Sequence, residues 1–309
     1  MLEGLHAAVG CGATFLDTSD SYGCGRSERV IGRFLREYPD TNLHLSSKVG
    51  RIRGSAPHPY AGRHIHHQLE QSLENLYAEH LDLYTLESFD FGPGDRYLGT
   101  AIEMLRALRD VGSIRAIGLR GPYAAYDASP AEWAAQAERF HFLFRLVRPD
   151  VVWTRFNAFT PCPLLDGEDL FSFTARRGTG LVLSAPLAHG ALTGQLADAP
   201  LGRMGQHARA GLTPLVLELV ENGLRALRRH FGTAEGTLAR VALRSALQRG
   251  DHCVVVAGFG SAEQVAENYG CLGAPLTDEE LAVVDEVYAG LRAGLQKLFE
   301  GRPVQAVRV

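Results

Sequence analysis

The sequence predicts an α/β protein in which strands and helices alternate along one domain that spans residues 1–309. Short apolar, β-prone runs recur along the whole chain, and amphipathic helical patterns separate them. No linker-like stretch and no internal repeat interrupts this alternation. Such regular alternation favours a single (β/α)8 TIM barrel over two separate domains.

The predicted strands are short runs rich in β-branched and other apolar residues, bounded by polar turns. They end near Thr18, Lys48, Leu86, Leu119, Arg155, Ser184 and Val256. Seven such runs are one fewer than a complete barrel of this class contains.

Two kinds of signal place the helices. Apolar residues at helical spacing form two faces, namely Ile65, Leu69, Leu73 and Leu76, and Leu98, Ile102, Leu105 and Leu108. Ser129 with Glu132 forms a capping box with proline at the first helical position, and this predicts a helix over 130–147. The stretch 277–280 caps the last helix in the same way, and a further helix is predicted over 233–248.

The composition is that of a globular protein with a large core, because 46% of the residues are hydrophobic and 21% are charged. The net charge of −4 and the lack of a basic block argue against a nucleic-acid partner. No apolar run reaches transmembrane length and no signal peptide opens the chain, so we expect no membrane contact. Five cysteines without a C-x-x-C motif indicate reduced thiols and a cytoplasmic location. Abundant arginine and scarce lysine suggest a bacterial source.

Three histidines, His64, His66 and His67, cluster at the start of a predicted helix. Their spacing does not place two of them one helical turn apart at i and i+4, and no cysteine or carboxylate motif accompanies them. We therefore interpret them as surface histidines and predict no metal site.

The stretch 13–32, ATFLDTSDSYGCGRSERVIG, places an acid and a tyrosine where chemistry is expected. Asp17 ends a strand and Tyr22 lies on the loop beyond it, at the end of a parallel barrel that carries active sites. Lys48 is one of only two lysines in the chain, and it lies near the end of the next apolar strand. A carboxylate such as Asp17 would hold the ammonium of Lys48, which in turn would lower the pKa of a nearby phenol. The alternative is a buried ion pair beside a loop tyrosine.

These residues lie in motifs that resemble the aldo-keto reductases, in particular the bacterial and potassium-channel β-subunit branch with its D-T-A-x-x-Y-G-x-G-x-S-E pattern. The motifs are DTSDSYGCGRSERVIG, SSKVG, LDLYTLE, IRAIGL, APLAHGALTG and GFGSAEQVAEN, and they follow one another in the family's order. The resemblance implies that Asp17, Tyr22 and Lys48 are the acid, the proton donor and the lysine of the active site. It also implies that the chain begins inside the first helix, so that either the true start lies upstream or the barrel lacks its first strand and is open at this edge. An open sheet edge invites a partner strand, and either a homodimer or the segment after Glu300 would cover it.

The clearest departure from the family is Glu87, which stands where a histidine is usual. In the steroid double-bond reductases of the family a glutamate takes this place, and there it is thought to be protonated and to hydrogen-bond the substrate carbonyl. Burial in an apolar pocket favours such a neutral carboxyl. The alternative is an ionised Glu87 that pairs with Lys48 or with an arginine.

The resemblance also assigns residues to a nicotinamide cofactor, NADPH. Five residues match the family's phosphate and adenine motif G-x-x-S-x-x-Q-x-x-E-N, namely Gly258, Ser261, Gln264, Glu267 and Asn268. The helix that begins there would offer its N-terminus to phosphate, although Ser261 and Gln264 are also the residues of a plain capping box. A second match is the loop that crosses the pyrophosphate, with Ala185, Pro186, Leu187 and Gly190. Gln195 stands where the family often has lysine.

The nicotinamide end matches less well. Arg120 and Gly121 replace a Ser-Asn or Ser-Arg pair that holds the carboxamide, and Trp153 replaces a glutamine. Ser184 stands where an aromatic ring stacks on the nicotinamide, so Trp153 would have to supply stacking from another wall. Arg120, with Arg51 and Arg53, would suit an anionic substrate, although solvated arginines are the commoner explanation.

The predicted function is therefore NADPH-dependent reduction of a carbonyl or a conjugated C=C bond in a small molecule, for instance a sugar or a secondary metabolite. Two other functions stay open. One is a lyase or isomerase that uses Glu87 and Tyr22 as base and acid on the same barrel. The other is a non-catalytic NADP(H)-binding subunit.

Overall fold

The computed structural model describes residues 1–39, 42–124, 128–160, 164–194 and 214–300. Its strands are β1 (Phe15–Asp17), β2 (His44–Val49), β3 (Leu81–Leu86), β4 (Ile114–Arg120), β5 (Val151–Arg155), β6 (Gly180–Ser184) and β7 (Cys253–Val256). Its α-helices are α1 (Leu2–Gly10), α2 (Arg26–Glu37), α3 (Gly62–Leu76), α4 (Leu98–Asp110), α5 (Pro130–Val147), α6 (Leu170–Ala175), α7 (Pro214–Phe231), α8 (Thr237–Leu247), α9 (Ala262–Gly270) and α10 (Asp278–Phe299). Short 3-10 helices cover Pro93–Asp95 and Ala188–Thr193.

All seven strands run parallel, in the order β1 to β7, and form a nearly closed barrel. The prediction of a (β/α)8-type barrel with seven strands is therefore confirmed. The register places Asp17 beside Ser46, and Arg120 beside Trp153. Because every strand has the same direction, the side chains at their carboxyl ends converge on one mouth of the barrel.

Several helix boundaries follow from the capping signals in the sequence. The Ser129 side chain accepts the Glu132 N–H while the Glu132 carboxylate accepts the Ser129 N–H, so α5 begins at Pro130 as predicted. Thr277 caps α10 in the same reciprocal way. The helix predicted over 233–248 begins only at Thr237, because Gly236 has φ 76° and holds a left-handed turn before it.

The hydrophobic core has two parts. The larger cluster fills the barrel and the space beneath α1 to α5, with residues such as Phe34, Tyr84 and Phe140 almost fully buried. The smaller cluster joins α7, α8 and α10, where Val220, Leu224 and Tyr288 are buried together. The larger cluster supports the strands whose ends form the mouth of the barrel.

The two outermost strands, β1 and β7, hydrogen-bond to each other nowhere in the described sheet. The helical layer nevertheless crosses this seam, because α1 lies against Phe259 just beyond β7. At Gly4 the approach is so close that an added Cβ would lie 2.4 Å from the Phe259 ring. Val254 on β7 stays 43% exposed. The segment after Glu300 lies outside the described residues, and a homodimer across this edge stays a prediction.

No helix in the described ranges combines the length and apolar character needed to cross a membrane.

Candidate active site

The mouth of the barrel contains a buried ion pair between neighbouring strands. The Lys48 ammonium is fully buried and donates to Asp17 Oδ2 at 2.6 Å, and to the Thr18 carbonyl at 2.6 Å. Ser46 donates to the other Asp17 oxygen at 2.8 Å. Asp17 raises the pKa of Lys48 above its usual value, although burial acts in the opposite direction. The lysine is therefore held as a cation in a site without water contact.

Trp153 joins this pair from the far side of the barrel. Its indole Nε1 donates to Asp17 Oδ2 at 3.1 Å, and its ring centre lies 4.8 Å from Lys48 Nζ. The sequence indicated Trp153 only as a wall for the nicotinamide ring. Trp153 and Asp17 are 136 positions apart in the chain, so no local sequence pattern predicts their hydrogen bond.

Tyr22 lies on a tight loop whose turn is made by residues with left-handed backbone, Gly23, Cys24 and Gly25. The loop brings the Tyr22 ring centre to 4.9 Å from Lys48 Nζ. Burial raises the pKa of Tyr22 above its usual value, while Lys48 acts to lower it and is outweighed. Lys48 thus acts on the pKa of the phenol in the expected direction, but desolvation has the larger effect. The sequence identified the charge effect of Lys48 but not the desolvation of the phenol.

Glu87 follows β3 and is 8% exposed. One carboxyl oxygen accepts a hydrogen bond from the Ser19 hydroxyl at 3.1 Å, and the other lies 3.8 Å from Arg51 Nε. The arginine contact is the ion pair that the sequence left as an alternative. The sequence analysis did not predict the Ser19 contact. The family pattern has alanine at this position, so the serine was a visible departure that could have indicated a new hydrogen bond.

Ser19 also connects Glu87 to a second buried acid. Its hydroxyl lies 3.3 Å from Asp20 Oδ1, and Gln68 donates to Asp20 Oδ2 at 3.0 Å. Burial raises the pKa of Asp20 to about 6, with a contribution from Glu28 and Glu87. The loop before Tyr22 therefore carries an acid that takes up a proton near pH 6.

Arg120 ends β4 and is 8% exposed. It donates from Nη1 to the Glu87 carbonyl at 3.1 Å, and its guanidinium lies 3.7 Å from the centre of the Tyr123 ring. Ser184, at the end of β6, donates to the Thr154 carbonyl at 3.1 Å and turns its hydroxyl toward the neighbouring strand. Arg120 and Trp153 are thus brought beside Glu87 and Asp17, whereas Ser184 provides no stacking surface.

The loop after β6 contains residues with left-handed backbone conformations. Ala185 has φ 53° and Gly190 has φ 91°, and Asn157 donates to the Ala185 carbonyl at 2.9 Å. A left-handed alanine is costly, so the loop is held by its surroundings. Around it Pro186 is buried and Leu187 half-buried, while the neighbouring Gln195 lies outside the described residues.

The start of α9 carries the residues of the predicted phosphate motif. Ser261 caps the helix by accepting the Gln264 N–H at 3.4 Å, while the Gln264 side chain accepts the Gly260 N–H at 2.7 Å. The reciprocal bond of a capping box is thus displaced by one residue. Gln264 and Glu267 are exposed, and Asn268 is half-buried near them.

These two segments leave room for a ligand beside their glycines. A Cβ built on Gly190 or on Gly258 meets no described atom within 4 Å, so both backbones border open space that a ligand can enter. The first turn of α9 supplies N–H groups and a favourable dipole to an anion there.

No metal-ligand cluster was predicted, and the described residues hold no group of three or more His, Cys, Asp or Glu side chains arranged for one. In the histidine cluster, Nε2 of His64 lies 2.8 Å from the Ile52 carbonyl oxygen.

Comparisons with known proteins agree with this architecture. The profile of the aldo/keto reductase family matches residues 1–289. The chain is 28% identical over 299 residues to the L-glyceraldehyde 3-phosphate reductase of Escherichia coli, covering 91% of this chain and 82% of that protein. It is 22% identical over 301 residues to the NADH-specific methylglyoxal reductase of the same species, covering 91% and 85%.

Among solved structures, glycerol dehydrogenase from Gluconobacter oxydans superposes with a TM-score of 0.69 at 23% identity, covering 98% of this chain and 87% of that one. At this identity the likeness shows the fold. The match of the family profile over nearly the whole chain shows more, and the protein belongs to the aldo/keto reductase family, a family of oxidoreductases.

Proposed function

We propose that the protein is an NADPH-dependent oxidoreductase that reduces a carbonyl group or a conjugated C=C bond of a small molecule. Asp17, Tyr22, Lys48 and Glu87 are its proposed catalytic residues. The observation that carries the proposal is the buried Lys48, which bonds Asp17 at 2.6 Å and faces the Tyr22 ring at 4.9 Å. A cytoplasmic location belongs to the same proposal.

Tyr22 is the proposed proton donor. When a phenol gives up its proton, negative charge develops on its oxygen, and the nearby Lys48 ammonium stabilises that charge. Asp17 keeps Lys48 charged and in place, and the Trp153 indole fixes Asp17 in turn. The raised pKa of Tyr22 keeps its proton available throughout the neutral range.

Bound NADPH would supply the hydride. Gly258, Ser261, Gln264, Glu267 and Asn268 would hold its adenosine phosphate end, since they lie just before α9 and along its first two turns. The loop with Ala185, Pro186, Leu187 and Gly190 would hold its pyrophosphate. Arg120 and Trp153 would border its nicotinamide end.

NADPH is expected to bind more tightly than NADH, because the phosphate motif at 258–268 is intact. This preference would differ from that of one relative, which is named an NADH-specific methylglyoxal reductase. Titration of each cofactor should change tryptophan fluorescence, since Trp153 is one of only two tryptophans in the chain. Trp153→Phe should remove the change, and Trp133→Phe, in α5, should keep it. No saturable change with either cofactor would reject the redox proposal and favour the lyase or isomerase.

Glu87 is proposed as a second hydrogen-bond donor to the substrate oxygen, beside Tyr22, which requires that its carboxyl group carry the proton and leave the Arg51 contact. Removing one positioned donor costs about 2 to 4 kcal/mol of barrier, or roughly 10² to 10³ in rate. Glu87→Gln is therefore expected to lower turnover by that factor and to leave NADPH affinity nearly unchanged. Glu87→His should shift preference from an enone toward simple aldehydes and ketones.

Steady-state rates on one enone and one aldehyde test the role of Glu87. Glu103→Gln is a matched control, because Glu103 is exposed on α4, away from the mouth. Equal rates for Glu87→Gln and Glu103→Gln would show that Glu87 takes no part in the reaction.

A further inference from the structure

A single hydroxyl lies between two buried acids at the mouth of the barrel. The Ser19 oxygen is 3.1 Å from Glu87 Oε2 and 3.3 Å from Asp20 Oδ1. Ser19 is fully buried, and Asp20 is 4% exposed. Ser21 lies beside them, with its hydroxyl 2.9 Å from the Ser19 oxygen and its N–H donating to that oxygen at 3.3 Å. Because a hydroxyl carries one proton, Ser19 donates to only one of the two acids at a time.

The second oxygen of Asp20 is already engaged. Gln68 donates from Nε2 to Asp20 Oδ2 at 3.0 Å, so a proton on Asp20 belongs on Oδ1, the oxygen that faces Ser19. Burial raises the pKa of Asp20 to about 6, and the charges of Glu28 and Glu87 act in the same direction, against the hydrogen bonds from Gln68 and Ser19. Asp20 therefore exchanges this proton well above the usual range of an aspartic acid.

Other charged and titratable groups face the two acids from several elements. Those around Asp20 are Glu28 on α2, Tyr84 on β3 and Glu87 itself. Those around Glu87 are Tyr22, Lys48, Arg51, Tyr60 and Arg120. The charge of Asp20 thus reaches Glu87 in two ways, through space and through the Ser19 hydroxyl, and an experiment has to separate them.

Ser19 and Glu87 are both departures from the family pattern, which has alanine and histidine at these positions. In the fold the two departures hydrogen-bond to each other. Alanine at position 19 has no hydroxyl with which to connect Asp20 and Glu87, so the serine and the glutamate together create a contact that the family pattern lacks.

The proton of Asp20 decides the direction of the Ser19 hydroxyl. With the proton, Asp20 Oδ1 donates to Ser19, and the Ser19 hydroxyl turns to donate to Glu87 Oε2. Without the proton, the ionised Asp20 accepts the Ser19 hydroxyl, and Glu87 Oε2 loses this donor. The two arrangements differ by one proton, which Asp20 exchanges with water, and no other covalent bond changes.

We infer that Asp20 and Ser19 are positioning residues that set which oxygen of Glu87 carries its proton. When Ser19 donates to Oε2, that oxygen is held as an acceptor, and the Glu87 proton belongs on Oε1, free to donate to the substrate once it leaves the Arg51 contact. When Ser19 donates to Asp20, a protonated Glu87 donates from Oε2 to Ser19, and its proton is turned away from the substrate. The role in catalysis rests on the proposed function of Glu87, whereas the direction of the Ser19 hydroxyl depends on the three side chains alone.

The pH dependence of unfolding tests the titration of Asp20 without any reaction. The folded-state pKa of Asp20, about 6, lies above the unfolded value of about 3.9, so its proton stabilises the fold at low pH. This contribution is lost as the pH rises through the folded-state value. Asp20→Asn should remove the loss, because its amide can accept from Gln68 and donate to Ser19 as the protonated acid does.

Glu28→Gln is the matched control for the unfolding experiment. Glu28 is a buried acid on α2, and its carboxylate accepts from Ser47 at 2.7 Å. This variant should keep the loss of stability but shift it to lower pH, because a negative charge near Asp20 is gone. The same pH dependence in the wild type and in Asp20→Asn would overturn the inference.

A double-mutant cycle in kcat tests the path through Ser19. At pH 7 and saturating substrate, Asp20→Asn should raise kcat by up to about 10-fold, because one unit above its pKa only about one carboxyl in ten carries the proton. This gain should shrink at pH 5, where the wild-type Asp20 already carries its proton. The same substitution in a Ser19→Ala background should change kcat by less than about 2-fold at pH 7.

The outcomes separate this inference from the proposed function. An equal gain in both backgrounds would show that the charge of Asp20 acts on Glu87 through space, and would overturn the role of Ser19. No gain from Asp20→Asn, with normal turnover in the wild type, would overturn the positioning role and leave the proposed function intact. No reduction of an enone or an aldehyde by the wild type would instead reject the proposed function, and with it the role of Asp20 in catalysis.

Discussion

Replacing Tyr22 with phenylalanine is expected to abolish measurable reduction of both enones and aldehydes. A positioned proton donor contributes about 10² to 10⁴ in rate, and the Tyr22 ring centre lies 4.9 Å from the Lys48 ammonium. The substitution removes one hydroxyl and keeps the ring, so the packing around Lys48 and the affinity for NADPH should change little.

Single-turnover rates with each substrate measure the effect of this variant directly. Tyr77→Phe is the matched control, because Tyr77 is 58% exposed at the end of α3. Unchanged turnover in Tyr22→Phe would mean that another group gives the proton. The raised pKa of Tyr22 adds a condition on pH, since wild-type activity should not fall through loss of this proton below the ordinary tyrosine value of about 10.

The second large effect is on stability, because Asp17→Asn leaves the Lys48 ammonium buried without its carboxylate. Breaking a buried pair in this way typically costs about 3 to 5 kcal/mol. Lys48 is fully buried, so solvent cannot replace the lost partner. Urea unfolding should show this decrease in the free energy of unfolding.

The pH dependence of that loss has a definite sign. Without Asp17, burial lowers the folded-state pKa of Lys48 below its unfolded value of about 10.4, so the variant gains stability as pH rises between those two values. Asp17→Asn combined with Lys48→Met should be more stable than Asp17→Asn alone, since no buried charge remains. A decrease below about 1 kcal/mol in the single variant would show that the pair is not essential to the fold.

Local signals in the sequence were sufficient to predict the fold and the placement of part of the site. Strands are short apolar runs, and parallel strands bring their carboxyl ends to one mouth, so Asp17 and Lys48 could be placed together in advance. Their hydrogen bond at 2.6 Å agrees with that placement. Capping boxes likewise fixed the starts of α5 and α10.

The remaining contacts depend on register and packing, which no local pattern encodes. Trp153 reaches Asp17 across the barrel, and Arg155 meets Tyr123 because β4 and β5 are neighbours. The pKa of Tyr22 depends on the balance between partial desolvation and the Lys48 charge, and that balance cannot be read from the sequence. Ser19 was visible as a departure from the family pattern, yet its partner Glu87 became known only from the fold.

The seam between β1 and β7 has a consequence for motion near the site. In the described sheet, β1 has three residues and pairs only with β2, while α1 crosses the seam by packing against Phe259. Amide hydrogens on such an edge exchange with solvent through local openings that cost less free energy than global unfolding. Because Asp17 is the last residue of β1, each opening of this strand also loosens the carboxylate that orients Lys48. Opening of β1 is therefore expected to disturb the Asp17–Lys48 pair on which the proposed proton donation depends.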